Sequence, residues 1–251
     1  MAIEDPRVVV VVPTLNEEAA LPDMLDRLGS ACSESRPVVI ADCGSSDRTA
    51  SIARKRGCYV VSGPTLTGRG AALRAGAAFT LETFDGVEAI WLLHADTFPP
   101  DGGDTDILEA MVDPTVAGGA FSQRFELSRA SPWAARRLRM VSWFNRLRYR
   151  ASGTYFGDQG LFVRASLVPK IGGLPGDALF EDIRLCRALK AHGRLLLLPG
   201  LIHTSPRRFL HNGIERQVWT DWALMLKHKR QRLSDEDVQA YNRENRGNEL
   251  G

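Results

Sequence analysis

The sequence has few cysteines, no long apolar run and almost no net charge. Its four cysteines stand far apart without a C-x-x-C pair, which argues against a zinc ribbon or a dithiol redox site and suits a reducing compartment. No apolar run approaches the roughly 20 residues that a membrane span needs. The net charge of +2 is too small to indicate nucleic acid as the main partner. The N-terminus lacks the layout of a signal peptide, so we expect a soluble, cytoplasmic protein.

The first hundred residues alternate buried-strand patterns with helical patterns. The strand patterns are "RVVVVV", which stops at Pro13, "PVVIAD" (37–42), "CYVVS" (58–62) and "EAIWLLH" (88–94). The helical patterns cover 16–30, 48–56 and a segment from the Gly-rich 63–70 to about 83. This alternation predicts the α/β class, with a parallel, doubly wound sheet. Ligands bind such sheets outside the carboxyl ends of the strands, so "PTLNEE", "DCGSSD" and "HAD" should meet at one edge.

The second half of the chain has a different character. We expect strands at 118–127 and 194–200, a loop leading into a strand at 155–164, an amphipathic helix at 131–150, and helices at 180–193, 213–230 and 234–246. Gly193 is the expected C′ residue of the helix before it. No repeat or low-complexity linker appears, so we expect one domain over 1–251. Its nucleotide-binding half is about 1–112 and its acceptor half about 113–230.

Six motifs then occur in an order and spacing that resemble one known family. They are "VVVPTLNEE", "DCGSSDRT", "GRGAALRAG", "LLHADT", "GDQGLF" and "FEDIRL". Together they resemble family 2 glycosyltransferases of GT-A fold, with the closest likeness to the radical-SAM/selenodomain-associated branch. The resemblance runs from about Val8 to Trp222. It implies a GT-A fold and transfer of a sugar from a nucleotide-diphosphate sugar to an acceptor hydroxyl, with Mn²⁺ or Mg²⁺ as cofactor.

The resemblance assigns the nucleotide to the first two strand ends. The loop that wraps the base and ribose in the family corresponds to Pro13, Thr14, Asn16 and Glu17. Asp42 matches the aspartate that accepts a hydrogen bond from the base, which suits the imide N–H of uracil and favours a UDP-sugar. The alternative for Asp42 is a turn-organising aspartate, and Asp47 is the expected helix cap. Arg69 is expected near the donor, with a surface ion pair as the alternative.

The motif "LLHADT" is the expected metal-binding strand end. Asp96 matches the carboxylate that the family keeps as ligand, and one carboxylate with a diphosphate can hold Mg²⁺ or Mn²⁺. His94 corresponds to the family's first aspartate of this motif, which points at ribose, and Ala95 lies between His94 and Asp96. The alternative is that His94 is a core histidine. His203, which follows a buried strand, is the expected further ligand, against a turn histidine. Arg207 and Arg208 are expected to neutralise the leaving diphosphate, against a solvated basic turn.

Transfer with inversion needs a carboxylate that accepts the proton of the attacking hydroxyl. The resemblance assigns this role to Asp182 and makes Glu181 an acceptor or sugar contact; simple helix-start acids are the alternative. Asp158 and Gln159 are the expected partners of sugar hydroxyls. The rival functions are a nucleotidyltransferase, whose Gly-rich basic signature after the first strand is missing, and a non-catalytic sugar-nucleotide binding protein.

The segment 127–157 is the most individual part of the chain. It contains seven arginines and no acidic residue, interleaved with Trp133, Trp143, Phe144 and Tyr149. Such a basic amphipathic helix can rest on an anionic membrane or bind a phosphorylated acceptor. The alternative is an aromatic face packed in the core with solvated arginines. Nucleic acid is not an expected partner. Peripheral membrane contact is therefore one expectation, while the acceptor and the oligomeric state stay open.

Overall fold

The computed structural model describes residues 7–28, 36–63, 65–128, 130–176, 179–230 and 236–237. The strands among them are β1 (Val8–Thr14), β2 (Val38–Asp42), β3 (Tyr59–Ser62), β4 (Ala89–Leu92), β5 (Thr97–Phe98), β6 (Val116–Phe125), β7 (Phe162–Arg164) and β8 (Arg194–Thr204). The helices are α1 (Leu21–Arg27), α2 (Thr49–Lys55), α3 (Arg69–Thr83), α4 (Gly103–Met111), α5 (Pro132–Ser152), α6 (Glu181–Lys190), α7 (Arg207–Asn212) and α8 (Ile214–Lys229). None of these helices is long and apolar enough to cross a bilayer.

The core is organised around β1, whose five consecutive valines are all buried. Successive side chains of a strand point to opposite faces of the sheet. Val8, Val10 and Val12 therefore pack with residues of α1 and α4, while Val9 and Val11 pack with residues of α3 and α6. Helices cover both faces, and this explains why β1 reads as a continuous apolar run.

The sheet has the order β3-β2-β1-β4-β7-β6-β8-β5. β1, β2, β3 and β4 are parallel, which confirms the α/β prediction for the first half. β7 pairs antiparallel with both β4 and β6, whereas β6 and β8 run parallel. The carboxyl ends of β1, β2 and β4 consequently lie at one edge, and the three polar strand ends gather there.

Two boundaries near this edge differ from the prediction. β1 continues through Pro13 to Thr14, paired with β2, although its ladder with β4 ends at Val11. Proline lacks an N–H donor but breaks no ladder bond on the side that β4 has left. α1 begins only at Leu21, because residues 15–20 form the loop at the site.

Other expectations about the second half also need correction. The C-cap of α6 is Ala191, and Gly193 is not in the left-handed region. A Cβ at Gly193 would lie 2.4 Å from the carbonyl oxygen of Thr115, so close packing requires the glycine. β5, α4 and α7 were not expected, and β8 runs on to Thr204. The helix expected at 234–246 lies outside the described residues except for 236–237.

Candidate active site

The loops after β1 and β2 are hydrogen-bonded to each other at the sheet edge. Asn16 has a positive φ of 55°, which asparagine tolerates better than most residues. Its side-chain oxygen accepts the N–H of Ser46 at 2.9 Å, and its own N–H donates to Ser45 Oγ at 2.8 Å. The N–H of Glu17 donates to Thr49 Oγ1 at 2.8 Å. These bonds fix one wall of the crevice.

Asp42 organises this pair of loops. It is buried, and its carboxylate accepts from Thr14 Oγ1 (3.1 Å), Ser45 Oγ (2.5 Å) and the N–H groups of Gly44 (3.2 Å) and Ser45 (3.0 Å). Four bonds occupy the acceptor capacity of a carboxylate. A contact from Asp42 to a base would have to replace one of them. Asp47 accepts the N–H of Thr49 at 2.9 Å, but the N-cap of α2 is Arg48, so Asp47 organises the turn before the helix and the prediction that it is the cap is wrong.

His94 is partly buried beside the turn that contains Gly157. A Cβ at Gly157 would lie 2.5 Å from the Nε2 atom of His94, so glycine is required by this contact. That Nε2 atom is buried without a hydrogen-bond partner among the described residues. Burial, together with the charges of Arg69 and Arg208, lowers the pKa of His94 to about 3. The imidazole is therefore neutral and can accept or donate one hydrogen bond.

Asp96 lies at the same strand end, and burial raises its pKa. The charges of Arg207, Arg208 and Arg69 act against that rise, so the carboxylate has three cations around it. Ala95, between the two motif residues, is buried in the hydrophobic core. Only the backbone of Ala95 can therefore serve the site.

Glu181 and Asp182 are buried at the start of α6. Arg69, the first residue of α3, donates from Nε to Glu181 Oε1, and its Nη2 lies 3.9 Å from Asp182 Oδ2. This is a largely buried ion pair, not the surface pair that was the alternative for Arg69. Asp182 also accepts the N–H groups of Gly157 (3.1 Å) and Ile183 (2.7 Å). Burial and the charge of Glu181 raise the pKa of Asp182 to about 6, which leaves it largely ionised at neutral pH.

The turn Gly157–Gln159 closes the other side of the site. Burial raises the pKa of the Asp158 carboxyl, against the charges of Arg148 and Arg208. Gln159 is 1% exposed, and its amide bonds the N–H of Phe156 (3.0 Å) and the carbonyl oxygen of Phe121 (3.2 Å). The expectation that Gln159 contacts sugar hydroxyls is wrong for this geometry, because its amide oxygen bonds within the turn and its amide nitrogen bonds the backbone of β6.

His203 lies on β8, two residues before Ser205, whose N–H donates to the carbonyl oxygen of Asp96 at 3.1 Å. His203 pairs with Phe98 across β5 and β8, and its charge acts on Glu126. Within the described part of the chain, no group of three or more His, Cys, Asp or Glu side chains could hold a metal ion. The residues therefore fit a metal that Asp96 shares with water and a diphosphate, which is a usual arrangement for Mg²⁺. The ligand role of His203 beside Asp96 stays a prediction.

Several arginines line the site, and the sequence predicted only some of them. Arg207 lies 3.6 Å from Glu17, and Arg208 donates two 3.0 Å bonds to Asp221 of α8. Arg148 of α5 stacks over the Phe156 ring with its guanidinium carbon 4.0 Å from the centroid. Arg208 acts electrostatically on His94, Asp96 and Asp158. The sequence predicted Arg208 together with Arg207, whereas no local pattern singled out Asp221 or Arg148.

Three comparisons with known proteins agree with this architecture. The family model "Glycosyl transferase family 2" matches residues 9–171. The undecaprenyl-phosphate 4-deoxy-4-formamido-L-arabinose transferase of Aeromonas hydrophila subsp. hydrophila is 29% identical over 177 residues, which is 63% of this chain and 48% of that protein. The chain thus spans about half the length of this curated relative.

Solved structures show the same fold. The mannosyltransferase PcManGT of Pyrobaculum calidifontis, in complex with GDP-Man and Mn²⁺, has a TM-score of 0.65 and 20% identity, over 97% of this chain and 71% of that one. The glucosyl-3-phosphoglycerate synthase of Mycobacterium tuberculosis, in complex with Mn²⁺, UDP-glucose and glycerol 3-phosphate, has a TM-score of 0.52 and 18% identity, over 78% and 72%. The fold is GT-A, as the sequence predicted. The chain belongs to glycosyl transferase family 2.

Proposed function

We propose that the protein is a metal-dependent, inverting glycosyltransferase that uses a nucleotide-diphosphate sugar, with UDP-sugars favoured. The observation that carries this proposal is the fixed carboxylate of Asp182. Two backbone N–H groups orient it, and its pKa of about 6 leaves it ionised but basic at neutral pH. A general base works best with a pKa close to the working pH.

The reaction assigns one task to each group. Asp182 takes the proton of the acceptor hydroxyl while that oxygen bonds to the anomeric carbon. The bond from this carbon to the diphosphate oxygen breaks on the opposite face, and the nucleotide diphosphate leaves. Arg207 and Arg208 neutralise the charge on the leaving group. Arg69 holds Glu181, which contacts the sugar or acceptor, beside the base.

The metal and the nucleotide follow from the strand ends. Asp96 would hold Mn²⁺ or Mg²⁺ together with the diphosphate, and the ion would supply positive charge at the leaving oxygens. His94 would contact ribose through a neutral nitrogen. The solved complexes of PcManGT with GDP-Man and Mn²⁺, and of the Mycobacterium synthase with UDP-glucose and Mn²⁺, support a nucleotide-sugar donor and a divalent metal.

The proposal also covers the branch of the family and the location of the protein. The six motifs in order support a place in the radical-SAM/selenodomain-associated branch. We propose a cytoplasmic enzyme with peripheral contact to anionic membrane. We assign no acceptor; the name of the curated relative includes a polyprenyl phosphate.

The direct test measures donor use. The purified protein is incubated with UDP-glucose, UDP-GlcNAc or GDP-mannose, with Mn²⁺ or with EDTA, and release of the free nucleotide is followed. Thermal shift with the same donors ranks their binding, because ligand raises apparent stability by mass action. We expect Mn²⁺-dependent stabilisation by at least one UDP-sugar and slow hydrolysis that Asp182→Asn abolishes. Donor binding without nucleotide release above the protein-free background would favour a non-catalytic sugar-nucleotide binding protein.

A further inference from the structure

The acceptor half exposes an unusual number of large apolar side chains on two helices. Trp219 is 75% exposed and Trp133 is 60% exposed. Isolated exposed apolar residues are common, but a cluster of them marks an interaction surface. We call the set the α5–α8 face; its members are Trp133, Met140, Trp143, Phe144 and Leu147 of α5 and Trp219, Trp222 and Leu226 of α8.

The two helices lie side by side and run in the same direction. Arg137 of α5 forms an ion pair with Glu215 near the start of α8. Farther along, Arg148 Nη1 lies 3.6 Å from Met225 Sδ. Glu215 is four residues before Trp219, so the exposed stripe of α8 is on the side that meets α5. The apolar residues of the two helices therefore form one surface.

This surface carries net positive charge. α5 contains six arginines and no acidic residue, and Arg136, Arg139 and Arg150 are exposed. The two acidic side chains of α8, Glu215 and Asp221, are both paired with arginines. Tryptophan and arginine together suit the headgroup region of an anionic bilayer, where rings insert and cations meet phosphate.

A second copy of the chain fits this charge pattern less well. A symmetric dimer would bring the same patch of both subunits together, with the exposed arginines facing each other. Such like-charge contacts disfavour association. We infer that the α5–α8 face docks on an anionic membrane, with the rings of both helices in the headgroup layer and the arginines against lipid phosphates.

Docking of this face would bring the active site close to the bilayer. The inner sides of the same helices carry Arg148, stacked on Phe156 beside the site, and Asp221, which holds Arg208. The inference rests on the proposed membrane contact and assigns it to this face. It does not depend on sugar transfer, so loss of vesicle binding and loss of transfer are distinguishable.

The test is flotation of the full chain with vesicles at low salt. One set contains phosphatidylcholine with phosphatidylserine, and the other contains phosphatidylcholine alone. Arg136→Glu with Arg139→Glu should weaken partitioning to the anionic set by about 30-fold or more, since each basic residue near such a surface is worth about 1 kcal/mol. The matched control is Arg54→Glu with Lys55→Glu on α2, both exposed and of equal charge change, which should bind like the parent.

A second variant pair probes the aromatic part. Trp219→Ser with Trp222→Ser should also release the protein, whereas Val112→Ser, at an 80% exposed position on the C-cap of α4, should not. Thermal unfolding checks that each variant is folded. A parent that stays unbound with anionic vesicles overturns the inference, as does equal loss in the α2 control. The face would instead be assigned to a second copy by three results together. The parent would be a dimer in light scattering, the double tryptophan variant would be a monomer, and the parent would not bind vesicles.

Discussion

Asp182 lies between one anionic and one cationic neighbour, which makes its proton affinity adjustable in both directions. Glu181 raises its pKa and Arg69 lowers it. The base must be deprotonated to work, so kcat/KM should rise with pH through about 6. Glu181→Gln should move this acidic limb to lower pH, and Arg69→Gln should move it to higher pH. The measurement is the pH profile of kcat/KM for the donor that the thermal-shift panel selects.

Asp182→Asn is the companion variant. It removes the proton acceptor, so kcat should fall by about 10²–10⁴-fold while donor affinity changes little. Asparagine can accept only one of the two backbone N–H groups that Asp182 now accepts. The unfolding curve of the variant should therefore be measured in parallel, to separate a loss of stability from a loss of catalysis. Transfer at the parent rate would make another carboxylate the base, with Asp158 the next candidate.

The metal prediction concerns Asp96 and His94. Asp96→Ala should abolish Mn²⁺-dependent binding of UDP and leave the fold intact, which calorimetry with Mn²⁺ or EDTA would measure. His94→Asp should bind at least as well as the parent, because Arg69 and Arg208 already favour negative charge at this position. His94→Asn is the uncharged control. Unchanged UDP affinity in Asp96→Ala would refute the ligand assignment.

Among the elements, the turn at Gly157 and the end of β4 are packed against each other. Gly157→Ala would put its Cβ 2.5 Å from His94 Nε2, and overpacking of this kind costs about 1–3 kcal/mol. His94→Ala should suppress the cost in the double variant, since it removes the clashing ring. Urea unfolding of the parent, the two single variants and the double variant gives the coupling free energy between the two residues. Additive effects within about 0.5 kcal/mol would mean that the two residues are not in contact.

At the scale of the whole molecule, α8 is linked to the site through Asp221. This carboxylate accepts two bonds from Arg208 at 3.0 Å and one from Gln217 at 2.8 Å. Asp221→Asn should lower stability by about 1.5 kcal/mol, at the low end for bonds to charged groups because the pair is partly exposed. It should also weaken donor binding by about tenfold, since Arg208 loses its orientation.

Glu215→Gln is the matched control for that prediction. It removes the carboxylate that pairs with Arg137 and so breaks the other charged link of α8, away from the site residues. We expect a small loss of stability and unchanged donor affinity. Equal effects of the two variants on UDP titration would show that Asp221 only holds α8 in place.

Local patterns determined much of the architecture. Consecutive buried valines predicted β1, and the polar residues after β1, β2 and β4 predicted where ligands meet, because strand ends in a parallel sheet share an edge. The order of six motifs predicted the GT-A fold. The same motifs predicted Asp96, Asp158, Glu181 and Asp182 as site residues, since each follows a strand or starts a turn or helix, and their roles stay predictions.

Side-chain direction was decided only by tertiary contacts. The alternation of β8 buries Ile202 and Thr204, whereas His203 between them is only partly buried and acts electrostatically on Glu126. The amide of Gln159 is taken by backbone groups of residues 156 and 121. The Arg69–Glu181 pair joins positions 112 residues apart. No local pattern specifies such contacts, because each depends on which distant segment the folded chain brings alongside.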